Sequence, residues 1–102
     1  MAFRVSKSRT FTVPVQVGDE DFTATFHALP DVALKEFDAP GVEMQKEFLR
    51  RVIVRLEGLV DDHDQPLGFS STLFEELIDY SDLRWAMLGA YHTGFYRAKA
   101  GN

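Results

Sequence analysis

The residues best suited to chemistry in this chain form the run Asp61-Asp62-His63-Asp64, an acidic cluster that could hold a cation. A calcium loop of the helix–loop–helix type needs acids at alternate positions, glycine at the sixth and a closing glutamate at the twelfth. Counted from Asp62, those places fall on Leu67 and Leu73, so the pattern fails and an acidic surface turn remains. His27, His63 and His92 lack the spacing of a zinc site, and no cysteine is present to complete one. Metal ligands and cofactor-binding residues are therefore not expected.

Ser70 follows Gly68-Phe69 but does not stand in the Gly-x-Ser-x-Gly turn of a hydrolase nucleophile, and no neighbouring motif offers it a base. Adjacent carboxylates such as Glu75 and Glu76 point in different directions on a helix and carry no acid–base assignment. No glycine-rich phosphate loop occurs. Catalytic residues are not expected, and the chain does not read as an enzyme.

Composition narrows the class further. Of 102 residues, 45% are apolar and 13% aromatic, which places the chain among folded proteins with a real core. The length fits one domain, with residues 1–9 as a basic arm and 10–102 as the folded unit. Nine phenylalanines, three tyrosines and one tryptophan are generous for this length, enough for some to serve a partner. A net charge of −5 argues against nucleic acid, whose binding is driven by clustered cations. Acids and bases alternate in blocks, as on solvated faces. The opening residues lack the apolar core of a signal peptide, and no apolar run approaches the ~20 residues of a membrane span. A cytoplasmic setting is expected, and the absence of cysteine suits it.

The elements that would position any site follow from periodicity. Thr10–Val17 alternates, with Phe11, Val13, Val15 and Val17 on one side. After a Gly18–Asp21 turn, Phe22–Ala28 alternates again, placing Phe22, Ala24, Phe26 and Ala28 against Thr23, Thr25 and His27. This predicts a β-hairpin. Pro14 cannot donate a ladder hydrogen bond, which puts the first strand at a sheet edge. A lone hairpin is barely stable in water, so its Phe/Val face must rest on helices.

Asp31 can cap a short helix running to Phe37, and Ala39-Pro40-Gly41 interrupts it. Over Val42–Leu59 two patterns compete. Met44, Phe48, Leu49, Val52, Ile53 and Leu56 share one helical arc, with Val54 the misfit, while Val52-Ile53-Val54 favours a strand by propensity. The helical phase fits more positions, so a helix is predicted, with Gly58 as its terminator. After the Asp61–Gly68 turn, Ser70, Ser71 or Thr72 caps a helix to about Asp79 that buries Leu73, Phe74, Leu77 and Ile78. Thr72 and Glu75 have capping-box spacing. Ser81 or Asp82 caps a last helix from Leu83 to about Ala98, with Arg97 and Lys99 suited to its C-terminal end and Gly101 beyond it. The predicted class is α+β: an N-terminal antiparallel hairpin packed on three or four helices.

The last helix holds the one functional lead in the residues themselves. Trp85, Met87, Leu88, Tyr91, Phe95 and Tyr96 cover about half its circumference, more than the ~100° stripe needed to face a single core. Ala86, Gly89, Ala90, Thr93 and Arg97 make the opposite, smaller side. Either the helix is central and touched from several directions, or part of the stripe anchors a protein partner, since aromatic residues are enriched at interface cores. The candidate partner-binding residues are Trp85, Leu88, Tyr91, Phe95 and Tyr96. Gly89 and Gly94 lower helix propensity, which suggests close backbone approach or a helix that yields on binding.

From about Phe22 onward the chain resembles the tail assembly chaperones of long-tailed bacteriophages and prophages. The resemblance is carried by Phe22-x-Ala24-x-Phe26 before Leu29-Pro30, and by Glu57-Gly58 leading into Val60-Asp61-Asp62. It continues through Pro66, Phe69-Ser70, Leu73, Leu77 and Ile78-Asp79, then Arg84, Ala86 and Ala90-Tyr91. The chain departs from such proteins at Leu56, where they tend to carry Trp, and at Asp64-Gln65, where an Asp-Gly turn often precedes the proline.

The resemblance implies a non-enzymatic protein that binds the long tape measure protein, keeps it soluble and promotes polymerisation of the tail tube around it. It would act in the cytoplasm of the bacterial host and leave before the virion is complete. In many relatives a ribosomal frameshift adds a second domain that recruits the tail tube protein; this chain would be the short form. Self-association is a further expectation. The alternative is a structural tail component retained in the particle, polymerising through the Pro14 edge strand or the last helix.

Overall fold

The structure, a computed structural model, describes residues 2, 3, 5 and 8–99, the last three by their backbone alone. The expectations for Arg97 and Lys99 as side chains, for Gly101 and for part of the basic arm lie outside the described residues. Strand β1 (Thr10–Val17) and strand β2 (Glu20–His27) form the predicted hairpin, in register from Thr10 opposite His27 to Val17 opposite Glu20. The turn is tighter than the sequence suggested. Gly18 and Asp19 suffice, because Gly18 takes the left-handed φ of 62° that opens a two-residue hairpin loop. The apolar face is the predicted one, with Val15, Ala24 and Phe26 fully buried. On the other face the Thr12 and Thr25 hydroxyls pair at 2.9 Å.

The sheet has a third strand. Helix α1 (Asp31–Leu34) follows Pro30 directly and tightens into a 3-10 turn over Lys35–Phe37; Asp31 lies in its first turn and its side chain caps nothing. Helix α2 (Val42–Val52) then begins at Gly41 and stops seven residues short of the predicted end at Leu59, passing without a linker into strand β3 (Ile53–Glu57). β3 pairs antiparallel with β2, so the order is β1-β2-β3 and β1 keeps the open edge that Pro14 requires. Thr25 opposes Arg55 and Phe26 opposes Ile53, which leaves Val54 as the extra residue of a β-bulge. Val54 was the misfit of the helical arc, and the bulge is its physical reason: β-branched residues that gain ladder bonds from β2 do better extended than helical. Gly58, with φ 84°, ends the strand and not a helix.

The Asp61–Gly68 segment is a surface turn pinned by a bridge between Val60 and Pro66. Helix α3 (Ser71–Ile78) is capped by Ser70, whose Oγ accepts from the Leu73 amide at 3.1 Å. With Ser70 as the cap, Thr72 and Glu75 form no capping box. Helix α4 (Ser81–Lys99) starts two residues before the predicted Leu83. The helices lie on the apolar face of the sheet, α4 along β1, giving an α+β fold of three antiparallel strands and four helices. Among the described residues no helix is long and apolar enough to cross a membrane.

Tyr91 is the hub of the core. Its ring centroid lies 5.3 Å from Phe11, 5.3 Å from Phe26 and 5.0 Å from Phe48, the last two edge-on. Edge-to-face rings bring positive edges onto negative faces and add to the stability from buried area. Leu49, Val52, Leu56, Phe74, Ile78 and Met87 complete the interior.

Candidate protein-binding site

The outer face of α4 is best understood from the faces that are already occupied. Ala86, Ala90 and Gly94, spaced by four, turn toward the core. A Cβ on Gly94 would stand 2.6 Å from Val13 Cγ1 and 2.7 Å from Phe11 Cε2, so only glycine lets α4 lie this close to β1. Beside that stripe Met87 and Tyr91 are buried. Nearer the start of the helix, buried Arg84 donates through Nε to Gln45 Oε1 and through Nη1 to the Ile78 carbonyl, both at 2.9 Å. Those bonds lock α4 to α2 and to the C-terminal end of α3, whose free carbonyls favour a cation.

What remains faces water: Trp85, Gly89, His92, Thr93 and Tyr96. Trp85 is 61% exposed and Tyr96 65%. At 1.5 Å per residue the two rings stand roughly 16 Å apart along one stripe, in phase after three turns. Gly89 lies between them with nothing within 4 Å of its missing Cβ, so another backbone can approach there. Leu88 and His92 extend the face into a groove of about 360 Å³ shared with Phe37, Met44 and Phe48. Large aromatic rings are highly buried on average in folded proteins, and a pair in water beside an apolar groove has the makeup of an interface anchor.

The five predicted partner-binding residues therefore divide. Trp85 and Tyr96 are free in water, Leu88 and Phe95 are half-buried, and Tyr91 is a core residue that no partner can reach without unfolding the helix. Phe95 stacks on Tyr91, with centroids 5.9 Å apart, and forms the boundary between core and surface. The sequence drew an aromatic stripe and set Ala86, Gly89, Ala90, Thr93 and Arg97 opposite it as a smaller side. Each side is split: Met87 and Tyr91 are buried while Trp85 and Tyr96 face water, and Ala86 and Ala90 pack on the core beside Gly94, where the sheet comes close, while Gly89 and Thr93 face water. The groove formed by residues 34–48 was missed; the Ala39-Pro40-Gly41 break that separates α1 from α2 was its only signal.

The residues first considered for chemistry take structural roles. Asp61 Oδ1 accepts from the amides of His63 at 2.8 Å and Gln65 at 3.0 Å, which builds the turn with its left-handed Asp64. Glu75 forms a two-pronged pair with Arg50 at 2.7 and 2.8 Å, and Asp79 pairs with Lys46 at 2.7 Å. The hydrogen bond from Arg50 holds the Glu75 carboxyl below the usual range, and that from Lys46 does the same for Asp79. Burial pushes the Tyr91 hydroxyl up. Among the described residues no three His, Asp or Glu side chains converge as a metal site would need.

Set against known protein families, against curated proteins and against solved structures, the chain matches none.

Proposed function

We propose that this protein is a tail assembly chaperone of a long-tailed phage or prophage, which binds the tape measure protein, keeps it soluble while the tail tube polymerises and then departs. It acts without catalysis, in the cytoplasm of the bacterial host. The sequence resemblance supplies the family. The observation that carries the reading at the level of residues is the α4 face, where Trp85 and Tyr96 stand in water on either side of Gly89, next to the Phe37/Phe48/Leu88 groove. An amphipathic helix of a long, helix-rich partner can lay its apolar stripe on such a surface, its backbone passing over Gly89. The negative net charge of −5 helps keep the complex soluble.

Coexpression with the tape measure protein of the same genome tests this directly. The wild-type chain should hold that protein in solution as an isolable complex, and the Trp85→Ala/Tyr96→Ala double variant should fold normally yet lose it. A tape measure protein that remains insoluble beside the wild type sinks the reading. So does recovery of this chain as a component of purified virions.

A further inference from the structure

A second groove opens at the hairpin-turn end of the molecule, where the sheet and the α3–α4 corner do not close over the core. Its volume is about 420 Å³, and Val17, Phe22, Leu59, Leu77 and Leu83 form its apolar wall. Glu20, Asp21 and Asp82 stand on its rim, and none of its lining residues is basic. Among the described residues none of these three acids has an ion-pair partner, whereas Glu47, Glu57, Glu75 and Asp79 each have one. An apolar trough under an uncompensated negative rim favours a segment that brings rings or branched side chains together with cations.

This chain carries such a segment. Residues 1–9 hold Phe3, Val5, Arg4, Lys7 and Arg9, and no acid occurs before Asp19. Phe3 is 73% and Val5 91% exposed, and the Arg9 guanidinium lies 5.5 Å from the Phe3 ring centroid, so cation and ring are presented together. The arm leaves the sheet at Thr10, at the opposite end of β1 from Val17 and the groove. Seven strand steps of about 3.3 Å separate the two ends, roughly the full stretched reach from Thr10 back to Phe3. A chain could touch its own groove only with the arm taut along β1. Another molecule's arm has no such constraint.

We infer that the acid-rimmed groove receives the basic N-terminal arm of a second copy of this chain, so that the protein self-associates head to tail. Such contacts close into a dimer by reciprocal exchange or run on as an open chain.

Sedimentation velocity on the full chain at low ionic strength, across a concentration series, tests this. The wild type should self-associate and dissociate as salt screens the charges. Glu20→Lys/Asp21→Lys and, separately, Arg4→Glu/Lys7→Glu should each weaken association at least about tenfold. Mixing those two variants should restore it, because the reversed arm of one then meets the reversed rim of the other. The arm variant lies outside the core, so it keeps the test decisive should the hairpin variant fold poorly. A chain that stays monomeric at every salt and concentration overturns the inference. Association indifferent to both pairs, or unrestored by mixing, also overturns it. So does a monomer in which a reactive group at residue 3 crosslinks to residue 20 of the same molecule.

Discussion

The Leu29 amide donates a hydrogen bond to the Tyr91 hydroxyl at 3.1 Å, in a site where both residues are buried. This joins the residue just past the end of β2 to the middle of α4, across the layer interface. Tyr91 therefore packs through its ring and ties the chain through its oxygen.

Tyr91→Phe keeps the ring and strands the Leu29 amide, which should cost about 1–3 kcal/mol. Tyr91→Ala removes the hub of the aromatic cluster and should cost about 3–5 kcal/mol. Urea unfolding followed by circular dichroism measures both. Equal losses for the two variants would mean that the ring contributes nothing beyond its oxygen.

The same hydroxyl sets an alkaline limit. Its pKa lies above the ordinary 10.0 because burial disfavours the phenolate. A raised folded pKa means the stabilisation is complete below the unfolded value and declines as pH rises through the folded one. The urea midpoint should thus fall above about pH 10 more steeply in the wild type than in Tyr91→Phe. Parallel curves would contradict this.

At low pH the opposite sign applies. Glu75 and Asp79 are held below 4.5 and 3.8 by hydrogen bonds from Arg50 and Lys46, so their contribution is present at neutral pH and is lost as pH falls through that range. Glu75→Gln/Asp79→Asn should flatten the acid limb of the stability curve while changing little in high salt, since both carboxylates face solvent. An unchanged acid limb would remove these pairs from the account.

The two glycines of α4 should respond in opposite directions. Gly94→Ala forces a Cβ onto Val13 and Phe11 and should destabilise by about 1–3 kcal/mol despite better helix propensity. Gly89→Ala meets nothing and should stabilise by up to about 1 kcal/mol. Thermal melts compare the pair. If Gly89 is where a partner's backbone approaches, its alanine variant gains stability and loses binding.

Trp85 is the chain's single tryptophan and serves as its own probe. In the free protein its emission should sit near that of tryptophan in water and be quenched readily by iodide. On partner binding the emission should shift to the blue and the quenching fall. Trp85→Ala should change stability by no more than about 0.5 kcal/mol, as expected of an exposed position. A blue, unquenched spectrum in the free protein would show the ring to be covered already.

Periodicity was a sound guide where one face meets one neighbour. The hairpin and its buried face follow from alternation, its open edge from the missing donor of Pro14, and α3 from Ser70 and a four-residue apolar face. β3 did not, because five residues are too few to reveal a period. Moreover Ile53 and Leu56 satisfy a helical arc continued from α2 just as well. Only Val54 dissented, and what it recorded was a bulge whose cause, the edge of β2, lies some thirty residues away. On α4 the difficulty was different. Polar, small and aromatic residues are spread around the helix because it is covered on several sides, so no single stripe separates inside from outside. Which aromatic rings stay wet depends on where Gly94 lets the sheet come close, a fact written in Val13 and Phe11 as much as in α4.

Pro14 has a consequence for how copies of this protein can meet. In an edge strand the proline nitrogen faces away from the neighbouring strand, so the outer rim of β1 lacks a donor midway along its eight residues. A strand from another molecule laid there would find one carbonyl unanswered at the centre of the new ladder. Runaway growth by backbone pairing is blunted at that border. Contacts between molecules are left to side chains, which charge and salt can undo.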